Sequence, residues 1–238
     1  TGSGKTTTLY SILSELNDPK RNILTAEDPI EYELEGIGQS QMKSEINYTF
    51  AKALRTFLRQ DPEVILVGEI RDQETGNIAV EAALTGHLVC STLHTNSSVE
   101  TITRLVNMGI PNYLISSSVS LVIGQRLARK ICQKCKIEDK NSSAKLLKQM
   151  KLPSDLNPMV GKGCKECNNS GYKGRQGIYE ILKITEDLQD GILKNLTIPE
   201  MESVAKKEGF LSMQEVGAGY IREGLLSLEE YQRTLFIS

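Results

Sequence analysis

Apolar positions along the chain recur with two periods, and the switches between them mark out its elements. Leu9, Ile12, Leu13 and Leu16 fall at helical spacing and predict a helix over 7–16, stopped by Asn17, Asp18 and Pro19. A short apolar strand is expected over 22–25. A helix over 48–59 follows, carrying Phe50, Ala51, Leu54, Phe57 and Leu58 together with Arg55 and Arg59. Val64, Ile65, Leu66 and Val67 form an unbroken apolar run, the mark of a strand buried on both faces in a parallel sheet. A helix over 77–84 ends at Thr85 and Gly86, a strand over 88–92 comes next, and helices are expected over 99–108 and 113–129. This alternation predicts a doubly wound α/β core.

Past residue 131 the pattern changes. A Lys/Leu-rich helical segment is expected over 144–151, a polar glycine-rich hairpin over 168–177, and a strand over 178–182. The remainder reads as helical over 187–194, 199–208, 212–223 and 227–235. Ser227 to Glu230 opens the last helix with a capping-box pattern. The expected division is an α/β core over 1–130, a cysteine-bearing subdomain over 131–178, and a mainly helical subdomain over 179–238.

Composition narrows the function. The net charge is −2 over 238 residues, aromatics make up 5%, and tryptophan is absent, so nothing argues for a nucleic-acid surface. No apolar run reaches the roughly 18 residues of a membrane span and no signal peptide is visible, so a soluble cytoplasmic protein is expected.

Candidate chemistry begins at residue 2. Gly2, Ser3, Gly4, Lys5, Thr6 and Thr7 match the end of a GxxxxGK[ST] phosphate-binding loop running into a helix. The opening glycine and the strand that carries it are expected before residue 1. Small residues let backbone amides turn toward phosphate oxygens, and the helix start adds its positive dipole end. Lys5 would reach the β and γ phosphates of ATP, and Thr6 would ligate Mg²⁺. At about 7% glycine, GxGK[ST] arises by chance in about one chain of this length in a hundred. An ordinary glycine-rich helix start is the competing reading.

Acidic residues follow two of the strands. Glu27, Asp28 and Glu31 sit where open α/β sheets bind ligands, with a solvated acidic turn as the alternative. Gly68-Glu69-Ile70-Arg71-Asp72 leaves the buried strand 64–67 as an atypical Walker B segment. Gly68 occupies the usual position of the metal-side Asp, which leaves Glu69 to orient and activate water. The only histidines, His87 and His94, flank one core strand; His94 is assigned near the γ phosphate and His87 a structural or coupling part.

Four of five cysteines form two CxxC pairs, Cys132 with Cys135 and Cys164 with Cys167. Each pair offers two thiolates to a tetrahedral Zn²⁺. A redox pair and unbound core thiols are the alternatives, and the absence of a thioredoxin-like βαβ setting favours zinc.

Together these stretches resemble the secretion ATPase superfamily, specifically the C-terminal half of type IV pilus assembly (PilB-like) or type II secretion (GspE-like) ATPases. The resemblance covers nearly the whole chain. It rests on the partial Walker A at 2–6, the acidic box 27–31, the Walker B segment 67–72, and the stretch from Thr85 to Asn96, which is similar to that family's His box. The CxxC pairs are similar to the zinc-binding insertion of the assembly and secretion branches, which retraction ATPases lack. Residues 117–129 and 171–180 are slightly nearer the pilus branch.

The resemblance implies a RecA-like ring ATPase, usually a hexameric homo-oligomer. It would lie peripheral to the bacterial inner membrane and push an inner-membrane platform protein, so that pilin-like subunits are extracted. It implies that Glu27 supports the metal and water network. It also implies an N-terminal domain supplying arginine fingers, worth about 10³ to 10⁵ in rate, so this stretch alone is expected to be weakly active. Competing readings are a RecA-like nucleic-acid motor, a DNA-uptake ATPase, and a non-catalytic nucleotide-binding scaffold. The negative charge opposes the first and Glu69 opposes the last.

Overall fold

The computed structural model describes residues 2–142, 144–150 and 152–236. Thr1 of the loop motif and Lys151 of the expected helix 144–151 lie outside them. The chain runs α1 (Lys5–Leu16), β1 (Ile23–Glu27), β2 (Gly38–Gln41), α2 (Phe50–Phe57), β3 (Val64–Val67), α3 (Gln73–Leu84), β4 (Leu88–Ser91), α4 (Ser98–Asn107) and α5 (Asn112–Ser118). It continues through β5 (Leu121–Ile131), β6 (Lys136–Glu138), α6 (Ala144–Gln149), β7 (Met159–Gly161), β8 (Tyr172–Lys183), α7 (Glu186–Leu193), α8 (Ile198–Lys207), α9 (Met213–Arg222) and α10 (Leu228–Leu235).

These elements form two compact units that do not follow chain order. One comprises Lys5–Val122 and Leu182–Glu208; the other comprises Thr1–Gly4, Ile123–Ile181 and Gly209–Ser238.

The first unit is built on a four-stranded sheet in the order β2-β1-β3-β4, every neighbouring pair parallel. Its apolar runs are continuous because both faces are covered, and period-two alternation divides them. Ile23, Val64 and Leu66 face α1 and pack on Tyr10 and Leu13. Leu24, Ala26, Ile65 and Val67 face the other way, onto Ala51, Ala53, Leu54 and Phe57 of α2 and Ile78, Ala79 and Ala82 of α3. Asp72 caps α3, its Oδ1 accepting the Thr75 N–H at 2.8 Å, so that helix starts four residues before the expected 77.

The second unit holds the ribbon β5-β8 and the antiparallel ribbon β6-β7. Its core joins Ala128 and Ile178 of the strands to Leu147 and Met150 of the α6 region and to Met213, Ile221, Leu228 and Tyr231 of the last helices.

Three expectations are corrected. The helix expected over 113–129 stops at Ser118, and Leu121–Ile131 is a strand instead. The Ser116, Ser117 and Ser118 hydroxyls bond back to the carbonyls of Tyr113 and Leu114, which weakens helix continuation, and β8 supplies the partner strand. The hairpin expected over 168–177 is a turn only at its start, with Asn168, Asn169 and Gly171 left-handed; from Tyr172 the chain is already β8. At α10, the Ser227 hydroxyl accepts the Glu230 N–H at 3.2 Å as expected, but the Glu230 carboxylate does not close the box. It takes hydrogen bonds from Arg129 and Arg233 instead.

Candidate functional site

Parallel register carries two acids to the same end of the sheet. Ala26 pairs with Val67, so Glu27 closes β1 beside Gly68, and Glu69 is the next residue along. Packing around Gly68 is tight. A Cβ at this position would lie 3.2 Å from the Ala26 carbonyl oxygen and 3.5 Å from the Phe50 ring, so an Asp would press on the neighbouring strand. The Gly68 N–H donates to the Ala26 carbonyl at 2.8 Å, the Thr92 hydroxyl donates to the Gly68 carbonyl at 2.7 Å, and the Ile70 N–H donates to the Thr92 carbonyl at 3.0 Å. The peptide that presents Glu69 is thus held from both sides.

Glu69 itself is 8% exposed. One oxygen is ion-paired with Arg71, which lifts the Arg71 pKa above its ordinary value; the other lies 3.4 Å from Nε2 of the exposed His94. Glu69 and His94, singled out separately in the sequence, are therefore brought together. His87 is used differently: its Nδ1 lies 2.9 Å from the Ala82 carbonyl oxygen at the end of α3.

Glu27 is buried on the α1 face of β1. Its Oε1 accepts from the Thr25 hydroxyl at 2.6 Å and the Gln39 amide at 3.1 Å, and its Oε2 accepts from the Tyr10 hydroxyl. Burial first, then the bond to Glu27, pushes the Tyr10 pKa up to about 12, so its proton stays on.

Gly2 and Gly4 adopt φ of 83° and 82°, left-handed values that glycine takes without strain, and the helix begins immediately at Lys5. The first turn of α1, with Lys5, Thr6 and Thr7, contains no acidic residue to compete with an anion. Thr25, Gln39, Tyr10 and Arg71 were missed in the sequence. Their signals are spacing: Thr25 stands two residues before Glu27 on strand β1, Arg71 stands two residues after Glu69, and Tyr10 places a hydroxyl on an otherwise apolar helical stripe.

In the second unit, β6 and β7 carry the two CxxC pairs. Cys132 and Cys135 precede β6, Cys164 and Cys167 follow β7, and antiparallel pairing of Lys136 with Gly161 closes the 28-residue spacer. Gly163 has φ of 95°, and a Cβ there would sit 2.8 Å from the Asn169 carbonyl oxygen, so only glycine lets the backbone close around the Cys164–Cys167 knuckle. The four Sγ atoms lie within 4.8 Å of one another, with separations of 3.9, 3.9 and 3.7 Å for three of the pairs. A tetrahedron of Zn–S bonds of about 2.3 Å requires S···S of about 3.8 Å, so the four cysteines fit zinc. As free thiols, Cys135 and Cys167 are shifted in opposite directions. Burial and neighbouring thiols push Cys135 up to about 12. At Cys167, burial opposes ionisation, but the Cys164 and Gly171 N–H groups outweigh it and bring the thiol down to about 6.

The family model described as "Type II/IV secretion system protein" matches residues 1–233. Type II secretion system protein E of Pseudomonas aeruginosa is 50% identical over 236 residues, covering 98% of this chain and 46% of that protein. The type IV pilus assembly ATPase PilB of Myxococcus xanthus is 47% identical over 234 residues, covering 97% of this chain and 41% of its own. The chain therefore spans less than half the length of these relatives. Among solved structures, the pilus retraction motor PilT with bound ADP aligns over 98% of this chain and 58% of its own, at 31% identity and a TM-score of 0.71. With a parallel sheet, acids at its strand ends and a family match running almost end to end, the chain belongs to the type II/IV secretion system protein family.

Proposed function

We propose that the chain is the ATP-hydrolysing part of a longer motor protein that powers type II secretion or type IV pilus assembly. The observation that carries this reading is Glu69, buried at the end of a parallel strand with His94 at 3.4 Å from its second oxygen. Lys5 and the amides around Gly2, Ser3 and Gly4 bind the phosphates, with Thr7 beside them, and Thr6 holds Mg²⁺, which when bound neutralises phosphate charge. Glu69 orients and polarises the attacking water, and His94 reads the γ phosphate. For that, the Glu69 oxygen paired with Arg71 or the one facing His94 must be available to the water. Glu27 supports the metal and water network from β1.

The tetracysteine cluster is the structural zinc site of a subdomain spanning 131–178, between an ATPase core over 1–130 and a mainly helical 179–238. The full protein works as a hexamer on the cytoplasmic face of the inner membrane, against a platform protein that yields pilin-like subunits. Near-equal identity to a secretion and a pilus relative leaves both cargoes within the proposal. No described helix is long and apolar enough to cross a membrane.

The test is Mg²⁺-dependent ATP turnover by the full-length protein, alongside its mass in solution. Lys5→Ala should weaken nucleotide binding by about 10- to 100-fold, the worth of one charge-assisted hydrogen bond, and abolish turnover. Equal turnover in wild type and Lys5→Ala would remove the reading.

A further inference from the structure

The contact between α1 and the end of β1 has a polarity that packing alone does not require. Ile23, Thr25 and Glu27 share one face of β1 by alternation, and that face lies on α1. The place opposite Tyr10 does not hold an aliphatic side chain, which would leave the buried Tyr10 hydroxyl without this acceptor. It holds instead a carboxyl group that is 4% exposed and whose three hydrogen-bond donors, the Tyr10 and Thr25 hydroxyls and the Gln39 amide, are all uncharged. Burying an acid without a cation is costly, so the arrangement is one that maintains a carboxyl at a fixed place and orientation.

The network also reaches the acidic turn. The Tyr10 hydroxyl accepts the Glu31 N–H at 3.3 Å, and Gln39 bonds the Tyr32 carbonyl at 3.2 Å and the Leu34 N–H at 2.6 Å. The Tyr32 ring meets the Tyr10 ring edge-on at 4.7 Å. Tyr10 stands five residues after Lys5 on the same continuous helix. One side chain thus joins the helix that starts at Lys5 to Glu27 and to the 28–31 turn.

We propose that Tyr10 is a positioning residue for the nucleotide reaction, acting through Glu27: its hydroxyl fixes Oε2 and locks the acidic turn to the helix that follows the phosphate loop. This rests on the ATPase reading above. A carboxylate has about four acceptor directions, and three are taken by these donors, so Glu27 can meet a metal or its water shell only along the remaining one. Removing the Tyr10 hydroxyl frees that carboxyl to rotate while leaving the ring and the phosphate loop in place.

The experiment is a double-mutant cycle in the full-length protein, with Tyr10→Phe, Glu27→Gln and the pair, measuring kcat, KM for ATP, the Mg²⁺ concentration for half-maximal rate, and thermal melting. Tyr10→Phe is expected to lower kcat about tenfold, with KM changed less than about twofold and a raised Mg²⁺ requirement. In the Glu27→Gln background the same change should alter kcat by less than about twofold, because the interaction is already gone. Tyr10→Phe within twofold of wild type, or an equal loss in both backgrounds, overturns the proposal and makes Tyr10 a packing residue. If Tyr10→Phe does not melt cooperatively, Gln39→Leu is used in its place and must show the same dependence on Glu27. Absence of wild-type turnover would sink the ATPase reading rather than this one. Binding of a fluorescent ATP analogue then decides, since Tyr10→Phe and Glu27→Gln must weaken the Mg²⁺-dependent part of binding by the same, non-additive factor. Unchanged Mg²⁺ dependence overturns the coupling.

Discussion

Glu27 and Glu69 are far apart in sequence and are brought to neighbouring positions by the register of two fully buried strands, with helices packed on both faces of the sheet. The four cysteines are placed otherwise, by strands of three residues, left-handed turns at Asn168 and Gly171, and glycines that allow backbone to touch backbone. The sheet site is a by-product of a large apolar core and keeps its geometry for as long as that core persists. The cysteines sit on turns beside three-residue strands, so their geometry depends more on what the sulfurs bind.

The largest effect is expected from the metal. Structural zinc contributes about 10–16 kcal/mol of apparent binding energy in small zinc-folded peptides, more than any single apolar contact. Metal analysis should find one zinc per chain, and Cys164→Ser or chelation should release it. Amide exchange should then accelerate over 132–138 and 159–171 while protection in β1 and β3 persists. Absence of zinc from freshly purified protein would show that the sulfurs rely on something else.

A cavity in the sheet core should cost less and act elsewhere. Leu54 is fully buried between α2 and the sheet, and Leu54→Ala should lower stability by about 3 kcal/mol with zinc content unchanged, as read by denaturant unfolding and metal analysis on the same sample.

Smaller still is the ionic clasp of the second unit. Burial acts to raise the Glu230 pKa, but hydrogen bonds from Arg233 and Arg129 outweigh it and bring the carboxyl down to about 2. Arg129 also lies over the Tyr172 ring at 4.1 Å. Because the folded-state pKa is depressed, this clasp stabilises the fold fully above the ordinary carboxylate value of 4.5 and is lost as pH falls from there toward 2. Glu230→Gln should cost about 2 kcal/mol, below the usual loss for a broken buried pair because both arginines are about half exposed and regain water. It should also flatten the acid limb of stability against pH.

The same contrast explains what was legible in the sequence. Strands β1, β3 and β4 and helices α1 to α4 could be read because a core needs apolar residues at fixed periods. β2 could not, since Gly38-Gln-Ser-Gln carries no apolar residue and is a strand only through backbone pairing with β1. β5 reads as helix in the sequence because Leu121 to Ile131 holds enough apolar residues for either period, and its partner β8 lies more than forty residues on. The cysteines, the phosphate-loop end, Glu69 and His94 stood out by residue type and spacing. Their supports did not: Arg71 on Glu69, and Tyr10, Thr25 and Gln39 on Glu27, are ordinary residues whose part follows from strand parity and from which helix covers which face.

Glu69 is the residue proposed to activate water for ATP hydrolysis. The most direct measurement compares the full-length protein with Glu69→Gln in single-turnover hydrolysis and in equilibrium ATP binding. The account predicts wild-type affinity with a rate lowered by about 10² to 10⁴, the usual worth of a positioned general base. Wild-type hydrolysis by Glu69→Gln would contradict it.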